Sequence, residues 1–232
     1  MEVILGKIYS YEEIAQMIVK RAEENAFKVI GITGTSSVGK STFANMIKRQ
    51  LEEGGGTVQV LRTDDYLKER YRAANRFWNR LDSTYLKPEF FDWQRLMREI
   101  EQLNEGQHFE RECYIRGIGW SERESFVPAD FYLIEGLFMD SVEAAKFMHY
   151  DFLISLVADD QLITKLRIER DAYYRANFKD FQRTESETLK EIENTLMAGK
   201  AYRRYDGWKK SLKMVALGDY NARIEMLEKD GQ

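Results

Sequence analysis

The sequence predicts an α/β domain in which a mostly parallel sheet carries helices on both faces. Three observations predict it. Residues 28–42, KVIGITGTSSVGKST, pass from an apolar strand through a glycine-framed loop into a helix start. Apolar runs of strand length at 57–63, 131–134 and 152–157 alternate with stretches of helical period. The runs at 57–63 and 131–134 end on acids, Asp64-Asp65 and Glu135, at the strand ends where open α/β sheets receive their ligands.

Each element follows from its own residues. Ser10 and Glu13 form an S-x-x-E capping box ahead of Ile14, Met17, Ile18 and Ala22, so 11–25 reads as an amphipathic helix. Val29, Ile30 and Ile32 read as a buried parallel strand. Phe43, Met46, Ile47 and Leu51 recur at helical spacing until the glycines 54–56 stop the helix. From Tyr66 to Phe91 no clean period appears, which marks a functional flap rather than an element. Trp93, Leu96, Met97, Ile100 and Leu103 restore helical spacing up to Gly106, and 107–127 suits two short antiparallel strands. A short helix is expected over 141–149 and a buried strand over 152–157. Asp159 or Asp160 then caps a helix bearing Arg167 and Arg170, and 185–198 returns to helix. No pattern is assigned beyond Tyr202.

Composition narrows the function classes. A chain of 232 residues, 44% hydrophobic, suits a single domain with a large core. A net charge of −4 with charges of both signs gives no global basic field, so nucleic acid and anionic membranes are not expected partners. The one cysteine, Cys113, and two histidines, His108 and His149, exclude a disulfide framework and a zinc site. No apolar stretch suits a signal peptide or a membrane span, so a cytoplasmic location is expected. A homo-oligomer is compatible with the sequence but not readable from it.

Gly34, Gly39, Lys40 and Ser41 satisfy G-x-x-x-x-G-K-[ST]. In that motif the backbone N–H groups of Gly34, Thr35, Ser36, Ser37, Val38, Gly39, Lys40, Ser41 and Thr42 surround a nucleotide's phosphates at a helix N-terminus. Lys40 reaches the β- and γ-phosphates and Ser41 ligates Mg²⁺. A GTPase is not expected: N-K-x-D is missing, the nearest string being Asn177-Phe178-Lys179-Asp180. The L-S-G-G-Q signature of transport ATPases is missing too. Small-molecule kinases need an acceptor site and an arginine-bearing lid, and Arg167, Arg170, Arg175 and Arg183 are spaced for one over 160–183.

With these residues in place, the chain resembles the uridine kinase and phosphoribulokinase family from about residue 27 to about residue 205. The shared landmarks are GTSSVGKST, Asp64-Asp65-Tyr66, Arg80-Leu81-Asp82 and Phe90-Phe91-Asp92. They continue through Pro128-Ala129-Asp130, Ile134-Glu135-Gly136 and Arg167-Ile168-Glu169-Arg170-Asp171. The resemblance implies a P-loop NTPase three-layer α/β/α fold, with a β-rich acceptor-binding excursion over about 66–127. It also implies an ATP- and Mg²⁺-dependent kinase acting on a small-molecule acceptor, most readily a ribonucleoside. Asp64 would be the base, with Asp65 as the alternative, and Lys40, Arg167 and Arg170 would act with it in catalysis. Glu135 joins Ser41 at the metal. Asp64, Tyr66, Asp82, Tyr114, Arg116 and Arg175 line the acceptor side. The family's Y-D-F-x-T-H-like segment is replaced here by Glu112 to Gly119, in which Tyr114 stands in for the tyrosine, the base-reading histidine is missing, and Arg116 offers a cation to a carboxylate or phosphate. A same-family kinase for a pantothenate-like acid or sugar phosphate, and a non-catalytic nucleotide-binding regulator, therefore remain as alternatives.

Overall fold

The computed structural model describes residues 5–68, 86–115, 119–179, 181, 183–205, 207 and 211–227, with the side chains of 114, 115, 119–122, 226 and 227 outside that description. Asp82 and Arg116 lie outside the described residues.

The strands are β1 (Ile8–Ser10), β2 (Val29–Gly34), β3 (Val58–Arg62), β4 (Phe109–Ile115), β5 (Gly119–Phe126), β6 (Phe131–Gly136), β7 (Phe152–Val157), β8 (Ser211–Gly218) and β9 (Asn221–Leu227). The helices are α1 (Tyr11–Asn25), α2 (Lys40–Glu53), α3 (Trp93–Asn104), α4 (Val142–Ala145), α5 (Asp160–Asn177) and α6 (Glu185–Ala201), with a short 3₁₀ turn at Thr63–Tyr66. The main sheet runs β1-β9-β8-β7-β2-β6-β3, while β4 and β5 form a separate hairpin. From β8 to β3 every pairing is parallel. Only β9 and β1 run antiparallel, against β8 and β9 respectively.

Alternation along the central strands divides the core into two layers. Ile30, Ile32 and Leu133 face α1 and α2, joining Ile14, Phe43 and Ile47. Val29, Tyr132 and Ile134 face the other way, onto Trp93, Leu96 and Ile100 of α3 and Phe138. These two apolar layers on one sheet make the expected α/β/α arrangement.

Local signals set the helix boundaries. Ser10 caps α1 with a reciprocal capping box to Glu13. Asp159, rather than Asp160, caps α5 by accepting from the Leu162 N–H at 2.7 Å. The helix expected over 141–149 is a single turn, capped by Ser141 and closed where the Phe147 and Met148 N–H groups both bond back to the Ala144 carbonyl. The unassigned C-terminal stretch is the β8–β9 hairpin. It inserts β8 beside β7 and, through β9, brings β1 into the sheet.

Candidate active site

β2 lies between β6 and β7, so the sheet's order reverses at its C-terminal end and opens a crevice there. The loop leaving β2 fills that crevice. Gly34 has a φ of +147°, and a Cβ there would sit 1.9 Å from the Leu156 carbonyl oxygen of β7. Only glycine lets the backbone turn that close to the neighbouring strand. Gly39, at φ +95°, is the residue before α2, and Ser37 holds a left-handed φ of +70°. The loop therefore wraps around the start of α2, whose leading N–H groups have no partner within the helix and favour an anion. Lys40 is buried, and its Nζ donates to the Thr35 carbonyl at 2.8 Å, across the loop it belongs to.

The acids arrive on neighbouring strand tips. β6 pairs with β2 so that Glu135 lies beside Ile32, and the Ser41 hydroxyl donates to Glu135 Oε1 at 3.0 Å. On its other side Glu135 pairs with Arg62, the last residue of β3. Gly136 lets the two tips close up: a Cβ there would fall 1.8 Å from Thr63 Oγ1, and that same oxygen accepts the Leu137 N–H at 3.0 Å. The turn carrying Asp64 and Asp65 thus abuts the strand end carrying Glu135.

Asp64 and Asp65 part company in that turn. Asp64 is half-buried. Asp65 is only 1% exposed, and its Oδ2 lies 3.1 Å from Arg111 Nη1 and 3.4 Å from Arg62 Nε. Tyr66, expected at the acceptor, has its ring fully inside the core, and its hydroxyl donates to Glu99 of α3 at 2.7 Å. Burial and the Glu99 carboxylate push that hydroxyl's pKa well up despite Arg111. Arg111, buried on β4, reaches Asp65, Glu99 at 3.2 Å and the face of Tyr66, with Phe126 on its other side. This ion cluster fastens the hairpin to the turn that presents Asp64. Arg111 was not singled out in the sequence, yet the alternation of Phe109, Arg111 and Cys113 against Glu110 and Glu112 places it on the inward face. Beside it, burial pushes the Cys113 thiol up to about 11, so it stays protonated. Tyr114 lies further along β4, in register with Trp120.

The arginines of α5 approach from the opposite side of the loop. Arg167 Nη1 donates to Ser36 Oγ at 2.6 Å and Arg170 Nη1 to Ser37 Oγ at 2.7 Å. Their i, i+3 spacing gives them one helix face, as the sequence implies. Asp171, fully buried, organises them. Its Oδ1 accepts two bonds from Arg170 at 2.7 and 3.0 Å, its Oδ2 accepts from Arg183 at 3.0 Å and Thr188 at 3.2 Å, and Arg167 lies 3.9 Å away. Burial alone would raise this carboxyl's pKa, but Arg170, Arg167 and Arg183 together hold it below the usual range. Glu191 of α6 meets Arg167 at 3.2 Å. Arg175 does not reach the loop; it donates to Thr188 and to the Arg183 carbonyl, tying α5 to the start of α6.

Ser41 and Glu135 supply a hydroxyl and a carboxylate, hard oxygen donors of the kind that suits Mg²⁺. Among the described residues no cluster of three or more His, Cys, Asp or Glu side chains could hold a metal ion alone. That pairing of few protein oxygens with a phosphate loop matches a cation shared with a polyphosphate. Among the described residues no helix is long and apolar enough to cross a membrane.

A sheet of this order, with a glycine-framed loop at its switch point, carboxylates at the flanking strand tips and arginines over the loop, defines a phosphate-loop kinase fold. The model of the phosphoribulokinase / uridine kinase family matches residues 29–183, and the chain belongs to that family. Its relatives include a uridine kinase of Staphylococcus epidermidis, 31% identical over 153 residues that cover 65% of this chain and 72% of that protein. A uridine kinase of Ligilactobacillus salivarius is 28% identical over 150 residues, 64% of this chain and 68% of its own. Among solved structures, the D-glycerate 3-kinase of Cryptococcus neoformans shares the fold with a TM-score of 0.64 at 13% identity, covering 88% of this chain and 94% of that one. Membership supports a phosphotransferase that uses a nucleotide and a small molecule, and ATP with Mg²⁺ is the family's general requirement.

Proposed function

We propose that this protein transfers the γ-phosphoryl group of ATP, with Mg²⁺, to a hydroxyl of a small metabolite, and that a ribonucleoside such as uridine is the leading acceptor. One observation carries the reading: the turn presenting Asp64 is locked against the strand tip of Glu135, while Arg167 and Arg170 contact the same loop from the far side. A reacting phosphoryl group held by that loop would have a base on one flank and two cations on the other.

Phosphoryl transfer is mainly positioning and charge stabilisation. Asp64 takes the role of base over Asp65, because the Asp65 carboxylate is committed to Arg111 and Arg62 inside the protein. Lys40 leaves the Thr35 carbonyl for the β/γ-phosphates, and Arg167 and Arg170 exchange serine hydroxyls for phosphate oxygens. Ser41 and Glu135 would hold the Mg²⁺, Glu135 through water; when bound, the ion neutralises phosphate charge. Tyr66 and Arg175 serve as positioning residues, Tyr66 under the Asp64 turn and Arg175 between the lid helices. Asp82 and Tyr114 are assigned to the acceptor. Arg116 together with the missing histidine favours a second reading, an alcohol bearing a carboxylate or phosphate.

An ADP-release assay over nucleosides, pantothenate-like acids and sugar phosphates distinguishes these. Turnover with uridine, reduced by about 10²–10⁴-fold in Asp64→Asn with little change in the KM for ATP, is the expected result. Turnover with an anionic alcohol alone would move the acceptor to the second reading. Nucleotide binding without turnover on any acceptor would leave only a regulator, and an unimpaired Asp64→Asn would remove Asp64 as the base.

A further inference from the structure

The β8–β9 hairpin lies outside the span that the family model matches, and its turn carries a feature the proposed chemistry leaves unused. Asp219 and Tyr220 both have left-handed backbones, at φ +47° and +55°. Two-residue hairpin turns of that kind ordinarily take Asn-Gly or Asp-Gly, since a bulky side chain is strained there. Here a tyrosine holds the second place and its side chain faces solvent, 57% exposed, with Leu217 exposed nearby in sequence. A left-handed aromatic residue that keeps more than half of its surface in solvent leaves a ring face open to a ligand.

The position of the turn says which ligand. β8 runs parallel to β7, and β7 parallel to β2, so the end of β8 emerges on the edge of the sheet from which the phosphate loop emerges. One buried residue spans the interval between them. Tyr11 bonds through its N–H to the Tyr220 carbonyl at 2.7 Å and meets the Tyr220 ring edge-on, centroids 6.0 Å apart. The Tyr11 hydroxyl donates to the Val38 carbonyl of the loop at 3.2 Å, and its ring lies 3.3 Å from where a Cβ on Gly39 would stand. On the other flank, Leu162 at the start of the arginine-bearing α5 lies 3.7 Å from the Cβ position of Gly218. The turn therefore sits beside both elements that take the phosphates.

We propose that Tyr220 is the stacking platform for the base of the nucleotide whose phosphates occupy the loop, a proposal that rests on the nucleotide-binding reading above. A base offers a flat π-face to an aromatic ring, and such stacking is tolerant of the base's identity. A polyphosphate without a base gains nothing from it. Tyr220 thus separates affinity for the nucleoside half of the ligand from affinity for its phosphates.

Calorimetric titration of the full chain with ATP and with inorganic tripolyphosphate, each with Mg²⁺, tests this in the wild type, Tyr220→Phe and Tyr220→Asn. Asparagine tolerates the left-handed backbone and so keeps the turn while removing the ring. Tyr220→Asn should weaken ATP about tenfold and leave tripolyphosphate unchanged, while Tyr220→Phe binds both as the wild type does. Unchanged ATP affinity in Tyr220→Asn would overturn the proposal. So would an equal loss for both ligands, because the residue would then act only through the shape of the loop. A wild type that binds neither ligand would instead overturn the nucleotide reading itself, and the platform with it.

Discussion

Asp171→Asn isolates the contribution of a single buried charge to the arginine cluster that joins α5 to α6. The substitution keeps the side chain's shape and one acceptor, but removes the negative charge facing Arg170, Arg183 and Arg167 at 2.7, 3.0 and 3.9 Å. Breaking a buried ion pair from one side costs about 3–5 kcal/mol. Because asparagine retains one acceptor, the low end, about 3 kcal/mol, is expected here, equivalent to about 6–12 °C of Tm for a chain of this size. The pH dependence has a definite sign. The folded carboxyl titrates below its ordinary value, so its stabilising contribution is complete above the unfolded pKa of about 3.9 and disappears as pH falls through the folded value. Melting curves of both proteins, followed by far-UV circular dichroism from pH 7.5 to pH 3, should show a constant gap down to about pH 4.5 and a narrowing one below. A gap that stays constant or widens in acid would refute the electrostatic account and leave only packing.

Two further outcomes test the framework around the site. Arg111→Met should destabilise by about 3 kcal/mol in urea denaturation, since it removes the buried cation that Asp65 and Glu99 share and leaves Arg62 and Arg95 to balance them; adding Asp65→Asn and Glu99→Gln should recover most of the loss. Gly34→Ala drives a methyl group to within 1.9 Å of the Leu156 carbonyl oxygen and should cost about 3 kcal/mol while weakening ATP binding, read by thermal melts with and without nucleotide.

The strand–loop–helix at 29–53 was legible because each part carries its own signal: an apolar run, fixed glycines, a helical period ended by glycine. The 107–127 excursion was legible for a similar reason, its glycines and mixed charges suiting a hairpin. The β8–β9 hairpin was not. In β8 the apolar residues Leu212, Met214 and Ala216 alternate with Val215 and Leu217 as well as Lys213, so no period of two stands out, and the Asp219-Tyr220 turn lacks the glycine that marks such turns. At the site, the sequence led to Ser41, Glu135, Arg167 and Arg170, which are spaced within recognisable motifs. It could not place Tyr66 in the core or turn Arg175 toward α6, because those orientations depend on Glu99 and Thr188, partners brought near only by folding.

Among the described residues, the pairing of β1 with β9 ties the phosphate loop to the most sequence-distant contact in the sheet. Residues 34–42 contain every atom of the phosphate loop, yet Tyr11, which grips the loop at Val38, is itself held by the backbone of Tyr220. Closing Tyr9 onto Ala222 joins segments separated by nearly the whole chain, the kind of contact that forms late because its loop-closure entropy is largest. The parallel strands β2, β3, β6 and β7 need only residues up to 157. A chain at that stage would hold the loop's sequence, most of its sheet and the packing of Tyr11 on Phe43, but Tyr11 would lack the Tyr220 carbonyl that takes its N–H.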